Sequence, residues 1–290
     1  MGDYLILEKL KCLIKAGHSA DEICSILNVK RPKLEKLVKL LGKMEHEKAY
    51  MIKNSAQICF VSDPHYGSIV DRPDLMQEIY NECEKRGINT ILCAGDFTDG
   101  YYPNYPERYA NQKVHTIEDL VKYAVYVHPH SKNIKFYTIG GNHDMYMKDP
   151  KIDILEKIAN IRNDIIYLGP NEADFIYGPT KIKMFHGVLN TKSKDTKSRA
   201  WLYYNSLSKN KPDIIQMGHI HHSYFDKFDK TYIIQNAALI DQLNYAKHKG
   251  FKCERSCFFV TIFFDEKGNI IHLKPELMVF EKGMTRVRTK

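Results

Sequence analysis

The chain has 290 residues, 43% of them hydrophobic and 27% charged, with a net charge of +8. That length allows one large domain and a small one, and the apolar content is enough for a core. The charge suits an anionic partner, and no stretch approaches the length of a membrane span. The seven cysteines, odd in number and without a C-x-x-C pair, argue against a structural zinc and for a reducing compartment.

The first ten residues carry two acids and no basic run, so they do not read as a signal peptide, and a soluble cytoplasmic protein is expected. Residues 1–52 hold three short amphipathic segments and no strand-like run. Ile6, Leu10, Leu13 and Ile14 recur at helical spacing and the segment ends at Gly17. Ser19-Ala20-Asp21-Glu22 has the form of a capping box, opening a helix whose apolar face is Ile23, Ile26 and Leu27. Pro32 suits the first turn of a third helix that would bury Leu34, Leu37, Val38 and Leu41 and stop at Gly42.

Helix, short turn, helix is the shape of a helix-turn-helix module, and residues 17–29 resemble many DNA-binding versions of it. Lys30, Arg31, Lys33, Lys36, Lys39 and Lys43 stand against Glu35 alone, which fits contacts to nucleic-acid phosphates. So many lysines would grip backbone and read few bases. A helical cap with a solvated basic face, or a dimer contact, would use the same features. Residues 43–56 are charged and weakly periodic and read as a linker or a helix running into the next domain. The small all-α module is therefore assigned to 1–52 and the second domain to 53–290.

The second domain alternates strand and helix. Ile58-Cys59-Phe60-Val61 is a continuous apolar run, as in a strand buried on both faces, and leads to Asp63 and His65. A helix over 73–86 stops at Gly87, and a strand over 90–94 leads to Asp96. Strand, helix, strand implies a parallel pair with a right-handed crossover. A helix over 116–127 precedes a strand over 134–139, which ends in Gly140-Gly141 ahead of Asn142, His143 and Asp144. The glycines let the backbone turn sharply against a ligand, and strand C-termini face the crevice where open α/β sheets bind.

A helix over 151–160 and a strand over 165–168 follow, and then the texture changes to short strands. Residues 175–177 and 181–185 flank Gly178-Pro179, a hairpin signal, and lead to His186. A helix over 198–207 precedes a strand over 213–217, which delivers His219 and His221. Residues 225–234 and 257–273 close the chain as hairpins.

Taken in order, Asp63-Pro64-His65, Gly95-Asp96-Phe97-Thr98-Asp99, Gly141-Asn142-His143-Asp144, His186 and Gly218-His219-Ile220-His221 resemble the calcineurin-like metallophosphoesterase superfamily. Its pattern is D-x-H, G-D-x-x-D, G-N-H-(D/E), a lone His and G-H-x-H. Singly, the pieces have plainer readings: a surface turn for Asp63 and His65, a core histidine for His186, a groove lining for His219 and His221 alternating along a strand. Five blocks in family order favour a site. The resemblance implies a four-layer α-β-β-α sandwich. One metal would take Asp63, His65 and His221, the other Asn142, His186 and His219, with Asp96 bridging. His143 would stabilise phosphoryl charge or protonate the leaving oxygen, oriented by Asp144, and Asp99 would support from behind the ligands.

Imidazole, carboxylate and amide donors suit Mn, Fe, Zn or Ni, with Mn first, and more donors converge than one catalytic metal uses. A hydroxide shared by two divalent ions roughly 3.5–4 Å apart would attack phosphorus in line.

The substrate expected is a phosphoester, most specifically DNA. Protein Ser/Thr phosphatases of the superfamily usually carry Arg soon after the second block and Glu after Asn-His. Gly100-Tyr101 after Asp99, and Asp144 after His143, look more like the double-strand-break repair nucleases and related phosphodiesterases. Tyr101, Tyr102, Tyr105 and Tyr109 form a loop expected above the site, where rings stack bases or pack on themselves. Lys192, Lys194, Lys197, Arg199, Lys209 and Lys211 form a run that would guide a polyanion or serve as a solvated face. The alternatives are a phosphatase or phosphodiesterase for small molecules or nucleotides, and a DNA-binding regulator that keeps the phosphoesterase fold.

Overall fold

The computed structural model describes residues 2–41, 54–146, 152–187, 195–207, 209–242, 254–281 and 284–289. The chain divides into two compact units, Met1–Ser55 with Phe263–Glu266, and Ala56–Ile262 with Lys267–Lys290. Among the described residues no helix is long and apolar enough to cross a membrane. The six described cysteines are free thiols; Cys253 lies outside the described residues.

The first unit contains helices α1 (Gly2–Lys15), α2 (Ala20–Leu27) and α3 (31–41). Ser19 and Glu22 form the full capping box, and Asn28 ends α2 in the left-handed conformation, φ 50°. Leu7, Leu10, Ile23, Leu34 and Leu37 make a core lined by Leu13, Leu27, Val29 and Leu41. Ile26 and Val38, expected on the buried faces, are both 44% exposed. Three helices this short bury one narrow stripe each, and these two side chains fall at its edge. Gly42 and residues 43–53 of the expected linker lie outside the described residues.

The second unit is built on two sheets. The first runs Met284–Thr289, Ile270–Glu281, Ser256–Phe264, Ser55–Val61, Thr90–Cys93, Lys135–Thr138 and Ile165–Tyr167 in order of pairing, and the second Glu172–Tyr177, Thr180–Phe185, Ile214–Met217, Thr231–Gln235 and Tyr224–Phe228. In the first sheet, β1 (Ser55–Val61), β2 (Thr90–Cys93), β3 (Lys135–Thr138) and β4 (Ile165–Tyr167) pair in parallel. α4 (Pro73–Arg86), α6 (Ile117–Val127) and α7 (Ile154–Ile161) lie between them in the chain, and α5 (Pro106–Tyr109) is a single turn. The helices cover one face. Cys59, Val61, Ile91, Cys93 and Phe136 pack with Leu75, Met76, Ile79 and Tyr80 of α4, Leu120 of α6 and Leu155 of α7. Phe60 and Leu92, their alternates, are just as buried and point to the opposite face, as the two-residue strand period requires.

In the second sheet β5 (Glu172–Tyr177) and β6 (Thr180–Phe185) form the expected hairpin. β7 (Ile214–Met217) lies parallel to β6 and to β9 (Thr231–Gln235), and β8 (Tyr224–Phe228) pairs antiparallel with β9. This half is therefore not all hairpins: α8 (Thr196–Ser206) carries the chain from β6 to β7. It packs Ala200, Tyr203 and Tyr204 on Phe185, Ile215 and Met217. Helices, sheet, sheet, helix is the four-layer order.

A polar seam joins the sheets. The Gln216 side-chain amide donates to the carbonyls of Val61 and Leu92, 2.9 Å each, and to Asn236 Oδ1 at 3.1 Å. Asn236 Nδ2 donates to Phe60 O at 2.9 Å. The chain closes with β10 (Ser256–Phe264), β11 (Ile270–Glu281) and β12 (Met284–Thr289), which pairs antiparallel with β11. β12, rich in Thr and Arg, carries no apolar run that would mark it as a strand.

Candidate metal centre

Every motif residue lies just past the C-terminal end of a strand: Asp63 and His65 after β1, Asp96 after β2, Asn142 and His143 after β3, His186 after β6, His219 and His221 after β7. The loops are knitted together by backbone bonds. Asp63 N donates to Gly95 O and His65 N to Asp96 O, 3.0 Å each, and Gly218 N to His186 O at 3.2 Å. Two glycines allow the closeness. A Cβ on Gly141 would land on the Asp96 carboxylate, and one on Gly218 would meet the hydroxyl of Ser62.

The backbone is bent hard here. Asp63, His65, Asp96, His219 and His221 take positive φ, between 45° and 73°. They are five of the eight such non-glycine residues among those described, so the strain is concentrated at one place. Asp and His tolerate this region better than most side chains. His219 and His221 therefore do not alternate along a strand; each sits on a left-handed corner after β7.

Two donor groups share no residue: the ligand atoms of Asp63, His65 and His221 lie within 4.8 Å of one another, and so do those of Asp96, His186 and His219. A third group, His65, Asp99 and His143, overlaps the first at His65. His65 Nε2 and His221 Nε2 face each other at 3.2 Å, and Asp63 Oδ1 is 3.2 Å from His221 Nε2. His186 Nε2 is 3.0 Å from Asp96 Oδ2 and 3.1 Å from Asn142 Oδ1. The same Asp96 oxygen is 3.8 Å from His65 Nε2, so it stands between the groups.

The other ring nitrogens are tied back. His186 Nδ1 donates to Ala94 O at 2.7 Å, and His65 Nδ1 to Asp99 Oδ1 at 3.2 Å. Each bond fixes the tautomer that turns a bare Nε2 inward. Nitrogen lone pairs aimed at one another across carboxylates make a donor set that fits divalent transition metals.

The electrostatics point the same way. Burial raises the Asp63 carboxyl, but His221, with His65 and His186, outweighs it and holds the group well below the usual range. Asp96 is held low in the same manner, burial being overcome by His186 and His143. Burial lowers His186, but Asp96 and Asp63 override it and raise the imidazole to about 9. His219 goes down to about 4 through burial and the nearby charge of His186. The two carboxylates are kept anionic in a buried cluster by the imidazolium charge beside them, a charge that a bound cation would replace.

Asp144 does not orient His143. Its carboxylate accepts from Phe97 N at 3.0 Å, Gly141 N at 2.9 Å, and Thr98 N and Oγ1 at 2.7 and 2.9 Å. It clasps the Asp96 loop to the Asn142 loop, because the side chain turns into the fold while His143 turns out. Burial and the charge of Asp96 raise Asp144 to about 6 despite these donors. His143 is instead held by Asp99 and Tyr102: its Nδ1 lies 3.1 Å from Asp99 O, 3.3 Å from Asp99 Oδ1 and 3.0 Å from the Tyr102 hydroxyl. Asp99 thus supports both His65 and His143.

The tyrosine loop packs on itself. Tyr102 is buried and stacks on Tyr146 at 4.3 Å. The expected basic run is divided, with Lys197 and Lys209 exposed and two other members committed. Arg199 is buried and donates to Gly187 O at 2.7 Å, and Lys211 donates to the Tyr204 and Leu207 carbonyls at the end of α8. Lys192 and Lys194 lie outside the described residues. In the first unit Lys30, Arg31, Lys33 and Lys36 are exposed, though Arg31 is paired with Asp21 at 2.8 Å. Of the remaining histidines, His128 is buried between Tyr66 and Tyr80, His130 meets Asp164, and His46 and His248 lie outside the described residues.

A family model described as calcineurin-like phosphoesterase matches residues 56–245. Comparison with curated protein sequences gives no match. Among solved structures the chain is similar to an archaeal phosphodiesterase, at 15% identity and a TM-score of 0.44, over 78% of this chain and 100% of the other. It is also similar to vacuolar protein sorting 29 from Cryptosporidium parvum, at 16% identity and a TM-score of 0.45, over 81% and 97%. A third likeness is to YfcE, a phosphoesterase from E. coli, at 13% identity and a TM-score of 0.38, over 75% and 98%.

Proposed function

Since the chain belongs to the calcineurin-like phosphoesterase family and is a metal-dependent phosphoester hydrolase, we propose that it is a two-metal phosphodiesterase acting on DNA. The observation that carries the two-metal reading is the pair of donor groups meeting at one Asp96 oxygen. Asp63, His65 and His221 would hold one ion and Asn142, His186 and His219 the other, with Asp96 as the carboxylate between them. Two divalent ions bound there supply Lewis acidity toward water and the phosphoryl oxygens. Manganese is the first candidate, since imidazole and carboxylate donors without thiolate accept it.

The chain's own side chains do the rest. His143, 24% exposed, meets the substrate and gives a proton to the leaving oxygen. Asp99 keeps the Nδ1 atoms of His65 and His143 engaged, so that each imidazole works through Nε2. Asp144 holds the two ligand loops in register.

DNA as substrate is supported by the exposed lysines of α3 in a helix, short turn, helix unit. They would contribute sequence-independent phosphate contacts. The test is a parallel assay with Mn²⁺ on single-stranded DNA, double-stranded DNA and a nucleoside monophosphate, each with a chelator control. Chelator-sensitive cleavage of DNA with little phosphate released from the monophosphate is the expected result. Release from the monophosphate with DNA left intact would overturn the nuclease reading and move the protein to small substrates.

A further inference from the structure

We propose that Tyr102 is a positioning residue for His143, its hydroxyl holding the ring in the orientation that turns Nε2 to the substrate. The proposal rests on the reading of His143 as the leaving-group acid. Tyr102 belongs to none of the five motif blocks, and its hydroxyl lies 3.0 Å from His143 Nδ1.

Around the same nitrogen stand the Asp99 carbonyl and carboxylate oxygens, at 3.1 and 3.3 Å. Those two oxygens only accept, so Nδ1 carries a proton, and Nε2 is the nitrogen left for a phosphoester oxygen. A ring flip would put a carbon against three oxygens and turn the nitrogens away. The Tyr102 hydroxyl narrows the space in which such a flip could occur.

The hydroxyl can serve in this way because Tyr102 itself cannot move. Its ring is 1% exposed, stacked on Tyr146 at 4.3 Å with an interplanar angle of 27°. Tyr105 meets it edge-on at 6.4 Å, and the Arg108 guanidinium lies 4.8 Å from its centroid. Its backbone N–H donates to Gln112 Oε1 at 3.4 Å, while the Gln112 amide donates to the Gly100 carbonyl. Tyr101 N donates to Tyr146 O at 3.0 Å, which ties this loop to the His143 loop. Burial pushes the phenol pKa well up, so it stays neutral. A neutral, immobile hydroxyl sets geometry and takes no part in proton transfer.

The experiment uses the full-length, Mn²⁺-loaded chain and a series of phosphodiesters whose leaving group runs from p-nitrophenol to a simple alcohol. A poor leaving group needs its proton, whereas p-nitrophenolate departs without one. Tyr102→Phe should lower kcat about tenfold for the alcohol and about threefold or less for p-nitrophenol, with KM within about twofold. Metal content should match the parent protein. In a His143→Asn background the same substitution should add nothing.

Equal slowing of the whole series by Tyr102→Phe, while His143→Asn remains selective for poor leaving groups, would overturn the Tyr102 proposal alone. An additive loss in the double variant would do so as well. Equal slowing by His143→Asn would overturn the acid role of His143 and the proposal with it.

Discussion

At the scale of single residues the centre has little room to vary. Gly141 passes so close to Asp96 that any side chain there collides with the carboxylate between the two donor groups. Gly141→Ala should therefore lose bound metal and slow diester hydrolysis by about a hundredfold, because a displacement of one ångström at a reacting centre has that order of effect. Metal analysis and turnover check it together; a variant with full metal content and normal rate would mean the loop simply shifts. Much of this site was legible in the sequence, since each motif residue ends an apolar run and the glycines mark the close approaches. What was not legible depends on which loop meets which in space. Tyr102 sits in a loop expected above the site, but nothing in the sequence pairs it with His143, 41 residues away. Asp144 looks like a partner for its neighbour His143, yet it bonds Phe97 and Thr98 on the Asp96 loop. The left-handed corners at His219 and His221 leave no sign in the alternation that suggested a strand.

At the scale of elements, two polar connections should govern stability. The Gln216 amide bridges β7 to β1 and β2 through two hydrogen bonds and makes a third to Asn236. Gln216→Leu should cost about 2–3 kcal/mol, because it removes three buried hydrogen bonds at about 1 kcal/mol each. A urea midpoint unchanged from the parent would show that the seam contributes nothing. The other connection is Arg162, which grips Asp164 through Nε and Nη2 at 2.7 and 2.6 Å and also donates to the carbonyls of Val125, His128 and Pro129. Burial raises Asp164, but Arg162 and His130 override it and hold the carboxyl well below the usual range. A depressed acid stabilises the fold above its unfolded value of about 3.9 and loses that contribution as pH falls through the folded value. Asp164→Asn should then lower the melting temperature at pH 7, with the gap from the parent narrowing below about pH 4. A gap that stays constant from pH 7 to pH 3 would remove the ion pair from the account. Neither connection could be read from periodicity, which reports buried faces and is silent on the polar atoms between them.

At the scale of the whole molecule, the chain joins a helical unit with a basic helix to a phosphoesterase sandwich. Changing Lys30, Lys33, Lys36 and Lys39 to Gln in the full chain should weaken DNA binding and reduce the slope of log affinity against log salt by up to about four. Hydrolysis of a small chromogenic diester should not change; an unchanged salt slope would leave the helical unit without a nucleic-acid role. Both units were readable in outline because helical and strand periodicities differ, while β12 escaped notice as a charged edge strand. Five residues around the donor groups hold left-handed backbone, each at about 1 kcal/mol over an ordinary conformation. A population selected for heat tolerance alone would find glycine at those corners an easy improvement, and with each one it would give up a donor or the aim of one. Durability and catalysis pull this protein in opposite directions at the same five positions.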